Sequence, residues 1–244
     1  MVKDRIREYW DSRCHEYDSS PGHTSLPEVW RDILGKIFHR KMRILDVGTG
    51  TGFVALRLAE LGHDVTGIDL SEGMLSIAKT KATKAGLNVT FIVGDAENLP
   101  FDDESFDAVV CRHLLWTLPN PDKAVKEWAR VVKPGGMVVA IDGKWTTCSM
   151  AAKLRSAIGR IAIAAYERRW KKSHYSREIN KALPFYGGAS GDVISDIFKG
   201  TGLKNVEVRD LSWIRERMLE NLPFFYRLAW NGREYFAVIG VKES

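Results

Sequence analysis

Apolar residues fall in short blocks, separated by segments whose apolar positions recur every three or four residues. "RILDV" (43–47) is such a block and stops at glycine, as a buried strand does. Val54, Leu58 and Leu61 follow at helical spacing, and Gly62 is placed to end that helix. "DVTGID" (64–69) reads as a second strand, after which Ser71 caps a helix to about Lys84, stopped by Gly86. "NVTFIVGDA" (88–96) and "FDAVVC" (106–111) read as the third and fourth strands. "PDKAVKEWARVV" reads as a helix with Pro121 in its first turn and Asn120 as N-cap, and "GMVVAID" (136–142) as the fifth strand.

Strands alternating with helices of this length imply βαβ units around a parallel sheet with right-handed crossovers. The end of the chain reads differently. "NVEVRDL" (205–211) is a further strand, and Asn231-Gly232 separates two aromatic, β-branched runs, which predicts an antiparallel C-terminal hairpin. A helix is expected near Gly191–Lys199. Residues 144–188 interrupt the pattern after the fifth strand as a basic helical insertion and not a second domain. The expectation is one domain over 1–244: an N-terminal helical lid (1–40), a core (41–143), the insertion, and the remainder of the core (189–244).

The chain has 244 residues, 45% of them apolar, enough to fill one sizeable core. No apolar run approaches bilayer length, and the charged start "MVKDRIREYWDSRC" lacks the apolar stretch of a signal peptide. Cys14, Cys111 and Cys148 have no zinc-like spacing. A cytoplasmic enzyme without a metal is expected, the cysteines acting as small buried hydrophobes. The net charge of +5 is local: residues 144–181 hold ten Lys/Arg against two acids, so the rest of the chain is net acidic.

The chemistry starts at "ILDVGTGTGFVALRLAELGHDVTGIDL" (44–70). A GxG turn between strand and helix lets backbone approach a ligand that a Cβ would exclude. Asp69 closes the next strand 21 residues beyond Gly48, where an acid accepts hydrogen bonds from both ribose hydroxyls. That spacing suits a nicotinamide dinucleotide and S-adenosylmethionine equally. Two features separate them. The glycines run Gly48-x-Gly50-x-Gly52, with Phe53 where a dinucleotide fingerprint wants its third glycine. Asp46 precedes the turn, where a carboxylate would repel a pyrophosphate but suits a ligand with amino and sulfonium cations. Asp95 can accept from an exocyclic amine, and Ala96 offers backbone to a purine edge.

In combination these stretches resemble the class I S-adenosylmethionine-dependent methyltransferases of the small-molecule type that includes quinone-biosynthesis enzymes. "LDVGTGTG" (45–52) is similar to the family's first motif and "GIDLSEGML" (67–75) to its acidic loop. "GDAENLPFDDESFDAVV" (94–110) is similar to its adenine-contact stretch, and "VVKPGG" (131–136) to its turn before the fifth strand. The resemblance covers about residues 40–143. It implies an α/β, Rossmann-like sheet of seven strands in the order 3-2-1-4-5-7-6. It also implies S-adenosyl-L-methionine contacts at Asp46, Gly48, Gly50, Asp69, Leu70, Asp95 and Ala96, to which Thr49, Gly52, Met74 and Arg112 are added as neighbours.

His113, just past the fourth strand, is the candidate general base; the alternative is a histidine that only hydrogen-bonds cofactor backbone. Arg112 reaches the cofactor carboxylate or a substrate acid, or caps the sheet edge. Trp116 is a candidate wall of the acceptor site. Tyr9, Tyr17 and His23 are candidate lid residues, or the first helix simply packs through Tyr9 and Trp10. In the insertion Leu154, Ile158, Ile161 and Ala165 share one helical stripe, with Lys153, Arg155 and Arg160 elsewhere. It reads as a lid over an anionic acceptor, as a helix lying on a membrane near a lipid-like one, or as a solvated face. "ERRWKK" hints at RNA, but the fourth strand runs into "RHLLWTLPNP" and not the "NPPY" of base-amine methyltransferases, so nucleic acid is disfavoured. The expected function is methyl transfer to a small-molecule acceptor under a basic lid. The competing readings are an RNA-modifying methyltransferase, a non-catalytic S-adenosylmethionine-binding module and a dehydrogenase.

Overall fold

The apolar blocks become strands β1 (Arg43–Val47), β2 (Asp64–Asp69), β3 (Thr90–Val93), β4 (Phe106–Arg112) and β5 (Val132–Lys144), followed by β6 (Lys204–Asp210) and β7 (Glu234–Val241). They form one sheet in the order β3-β2-β1-β4-β5-β7-β6. The computed structural model describes residues 2–146, 150–166, 175–230 and 233–243. Neighbours from β3 to β5 run parallel, and β7 lies antiparallel between β5 and β6.

Parallel strands need cover on both faces, and the period of two along β4 supplies it. Val109 and Cys111 point into one core cluster with Phe106, Trp128 and Phe198. Ala108 and Val110 point into the other with Trp30, Leu34 and Leu58. The first cluster is covered by α6 (Pro121–Val131) and α9 (Gly191–Gly200), the second by α3 (Pro27–Ile37), α4 (Phe53–Glu60) and α10 (Ser212–Glu220). Trp128 is wholly buried, and its indole N–H donates to the Ala96 carbonyl at 3.0 Å, tying α6 to the loop after β3.

Local signals behave as read at α5 (Glu72–Ala85). Ser71 Oγ accepts from Met74 N, and Gly86 closes the helix in the left-handed region. Asn120 differs. It stands at the N-cap position of α6 but its amide donates to Glu97 Oε2 at 3.1 Å, while Glu97 Oε1 takes the Asn120 N–H at 2.7 Å. The buried carboxylate outcompetes the cap.

One correction falls at the C-terminal end. The run 225–230, expected as the first strand of a hairpin, lies in the helix α11 (Phe224–Trp230). Its partner is α7 (Met150–Tyr166). Gly159 lets the two backbones touch, since a Cβ there would lie 2.5 Å from Ala229 N, and Ser156 Oγ donates to the Ala229 carbonyl at 3.0 Å. Helix packing overrides the β propensity of the run, and the antiparallel pairing is supplied by β6 and β7. Asn231-Gly232 lies outside the described residues, as do Cys148 and "ERRWKK". In α7 the stripe of Leu154, Ile158 and Ile161 is solvent-exposed; the inward face is the one carrying Gly159. A short helix α8 (Arg177–Ala182) completes the insertion.

The N-terminal α1 (Val2–Tyr17) and α2 (Pro21–Thr24) lie across the carboxyl ends of β1, β2 and β4. Asp11 of α1 accepts from Ser71 Oγ at 2.6 Å and Gly73 N at 3.0 Å, which docks it on the start of α5. Among the described residues no helix is long and apolar enough to cross a membrane.

Candidate active site

The turn from β1 to α4 holds three glycines at positive φ: Gly48 (66°), Gly50 (55°) and Gly52 (82°). The amides of Gly48 and Thr49 donate to the Ile68 carbonyl at 2.8 and 3.0 Å, pinning the turn to β2. A Cβ on Gly48 would sit 2.6 Å from Leu114 Cδ1, whereas one on Gly50 would meet nothing within 4 Å. Gly50 borders open space. Asp69 faces it from the end of β2, its Oδ2 accepting from Gly50 N and its Oδ1 from Ser71 N, both at 2.9 Å. Each oxygen keeps capacity to accept a further hydrogen bond. Burial raises the Asp69 pKa, and these amides oppose the rise.

Gly48, Gly50, Asp69, Leu70, Met74, Asp95, Ala96, Arg112 and His113 line one crevice. Asp46, Thr49 and Gly52 do not. Asp46 is buried and turned inward: Thr49 Oγ1 donates to its Oδ2 at 2.6 Å and Ala55 N to the same oxygen at 3.0 Å. Burial outweighs these bonds and pushes its pKa up to about 7. Gly52 packs on α5, where a Cβ would lie 3.0 Å from Ala78 Cβ. The three residues shape the turn from behind.

The sequence reading placed Tyr17 in a lid but assigned no other residue to the crevice's second wall. Lys3, Ile6, Trp10 and Tyr17 of α1 lie along it. Lys3 Nζ contacts Asp95 Oδ2 and Glu97 Oε2, each at 2.6 Å, and Asp95 Oδ1 accepts from Glu97 N at 2.9 Å. Asp95, expected to take an exocyclic amine, already holds a cation on one oxygen. Nothing local signals Lys3, which is 92 positions from its partner.

Arg112 ends β4 with its guanidinium 4.4 Å from the Phe53 ring centroid and 4.9 Å from that of Trp30. One Nη donates to the His23 carbonyl; the other is buried with no hydrogen-bond partner. His113 follows at φ 58°, its N–H donating to the Ile141 carbonyl at 2.9 Å. Its ring lies against Trp145 (5.1 Å) and Tyr235 (5.4 Å). Burial first, then the charges of Arg112, His23 and Arg215, holds its pKa well below the usual histidine range. Its Nε2 is buried and unpartnered.

Beyond His113 opens a second, larger cavity of about 590 Å³. His23 and Trp116 line it, and Tyr17, Trp10 and His113 line both compartments. His23 stacks on Tyr17 at 3.9 Å, its Nδ1–H donating to the Tyr17 carbonyl at 2.6 Å. Burial pushes the Tyr17 hydroxyl up to about 12. Tyr9 lines neither compartment; it packs against Tyr175, 4.4 Å between centroids.

A glycine turn, a strand-end acid and a crevice at the carboxyl ends of parallel strands define a nucleoside-binding α/β enzyme. A family model described as "Methyltransferase domain" matches residues 45–140. The demethylmenaquinone methyltransferase of Staphylococcus haemolyticus (strain JCSC1435) is 30% identical over 217 residues, covering 86% of this chain and 90% of that one. The chain belongs to the class I S-adenosylmethionine-dependent methyltransferases, in their quinone-biosynthesis type. Solved structures share the fold. Phosphoethanolamine N-methyltransferase 2 of Haemonchus contortus, in complex with phosphomonomethylethanolamine and S-adenosylhomocysteine, superposes with TM-score 0.68 at 22% identity. All of this chain is matched, which spans 61% of that one. A methyltransferase from Aquifex aeolicus gives 0.61 at 21% identity, covering 94% of this chain and 97% of that one. The residues present fit the family's methyl donor. Asp69 has acceptors to spare for a diol, Gly50 borders open space, and Arg112 carries a buried N–H group without a partner, suited to a carboxylate.

Proposed function

We propose that this methyltransferase alkylates a small aromatic acceptor lodged in the larger cavity. The observation that carries the reading is the shared wall: Trp10, Tyr17 and His113 border both compartments, so donor and acceptor meet there. Asp69, Gly48, Gly50, Leu70 and Met74 hold the nucleoside, Asp95 and Ala96 its base, and Arg112 its carboxylate. S-adenosylmethionine supplies an electrophilic methyl on a sulfonium, so in-line positioning is the protein's main task. The His113 Nε2, buried and without a hydrogen-bond partner, is the group offered to the proton leaving an acceptor hydroxyl. Tyr17, His23 and Trp116 wall the acceptor, and the insertion closes over it as a lid.

The relative's name points to a quinol-like acceptor, and the tryptophan-rich cavity and the exposed apolar stripe on α7 support a lipid-like one. The test is release of S-adenosylhomocysteine across quinol, phenol, thiol and amine acceptors. Quinols or phenols are expected to turn over, with His113→Ala lowering kcat roughly 100-fold. No turnover by protein that binds S-adenosylmethionine in calorimetry would favour a non-catalytic module instead.

A further inference from the structure

Three arginines from three separate elements converge on the larger cavity: Arg160 of α7, Arg215 of α10 and Arg233 just before β7. No aspartate or glutamate is among the cavity's described lining residues. Arg215 lies over the rings of Trp145 (4.9 Å) and Tyr235 (5.3 Å), and its Nε is buried with no hydrogen-bond partner. Arg233 spends one Nη on the Ala229 carbonyl at 3.0 Å. Burial lowers the pKa of both, and Arg233 is lowered further by the charges of Arg215 and Arg160. Like charges in an aromatic pocket with no counter-carboxylate among its described lining residues, Arg215 and Arg233 half-buried and Arg160 exposed, raise the energy of the empty site. An entering anion relieves that cost and takes fork-shaped, charge-assisted hydrogen bonds.

We infer that the acceptor carries an oxyanion, a carboxylate or a phosphate, that seats on Arg215, Arg233 and Arg160 while its aromatic body lies toward His113. This rests on the cavity being the acceptor site. Trp145 and Tyr235 each touch both Arg215 and the His113 ring, so one aromatic layer joins the anion seat to the reacting end.

The five tryptophans that border the cavity make binding readable by fluorescence quenching without turnover. The protein saturated with S-adenosylhomocysteine is titrated with a hydroxynaphthoate, its methyl ester, and naphthyl phosphate. The acid or the phosphate is expected to bind roughly tenfold or more tightly than the ester, and whichever is tighter identifies the anion. Arg233→Gln and Arg215→Gln are each expected to bring the acid-to-ester ratio toward one, with Arg215→Lys restoring part of it. Calorimetric binding of S-adenosylmethionine is the check that each variant folds, and it also reads the donor crevice separately. Equal affinity for acid, phosphate and ester, or a ratio that both glutamine variants leave intact, would overturn the inference while leaving methyl transfer to a neutral acceptor standing.

Discussion

Thr49 Oγ1 and Asp46 Oδ2 are 2.6 Å apart, and the oxygen they share also takes the Ala55 amide. One buried carboxylate thereby ties the glycine turn to the first turn of α4. Thr49→Val keeps the shape and removes the donor. It is expected to lower unfolding free energy by about 1–2 kcal/mol, seen as a lower midpoint in urea. An unchanged midpoint would show that the bond contributes nothing.

Asp69 is proposed to act at the ligand itself. Asp69→Ala removes the acceptors for a diol along with the bonds to Gly50 and Ser71. Calorimetry with S-adenosylmethionine is expected to show no measurable heat of binding. Retained micromolar affinity would refute the assigned role.

At Gly48 two costs can be separated. Gly48→Ala places a Cβ against Leu114 and holds alanine at φ 66°. The variant is expected to lose roughly 1–3 kcal/mol of stability, with weaker cofactor binding. Adding Leu114→Ala relieves the clash alone, so the double variant should recover part of the loss. No recovery would assign the whole cost to the backbone.

Asp142 sets a pH dependence. It is buried at the end of β5, with Oδ1 on Gly143 N (2.8 Å) and Oδ2 on Leu115 N (3.2 Å), and burial pushes its pKa up to about 7. A carboxyl raised on folding binds its proton more tightly in the native chain than in the unfolded one, where the value is 3.8. Its contribution is complete below the unfolded value and is lost as pH climbs through about 7. Asp142→Asn should flatten the decline in stability between about pH 5 and pH 8 by roughly 1–3 kcal/mol. Urea melts at the two pH values measure this, and parallel slopes for the two proteins would refute it.

Lys3 fastens α1 over the crevice through Asp95 and Glu97. Lys3→Ala is expected to speed release of bound S-adenosylhomocysteine in stopped-flow fluorescence, and added salt should speed the parent protein in the same sense. An unaltered release rate would mean that α1 does not gate the crevice.

The donor half of the site was legible in the sequence because its parts are local. Gly48, Gly50 and Asp69 lie within one βαβ unit, where strand, turn and helix fix their relation before any tertiary contact is known. The proposed acceptor half is assembled across the chain. Arg160, Arg215 and Arg233 converge only because α7, α10 and the start of β7 pack together, and no spacing announces that. The same holds for 225–230, whose aromatic run reads as a strand until Gly159 is seen to offer a helix a place to lie. Asp46 shows a subtler limit: the motif identifies the residue, but its side chain turns away from the ligand space.

Trp10 and Tyr17 belong to the same helix and border both compartments. An outward swing of α1 would therefore open both compartments in one event. If release depends on that swing, turnover on a good acceptor would run at its frequency, and a cross-link clamping α1 to α5 would arrest the cycle with both products inside.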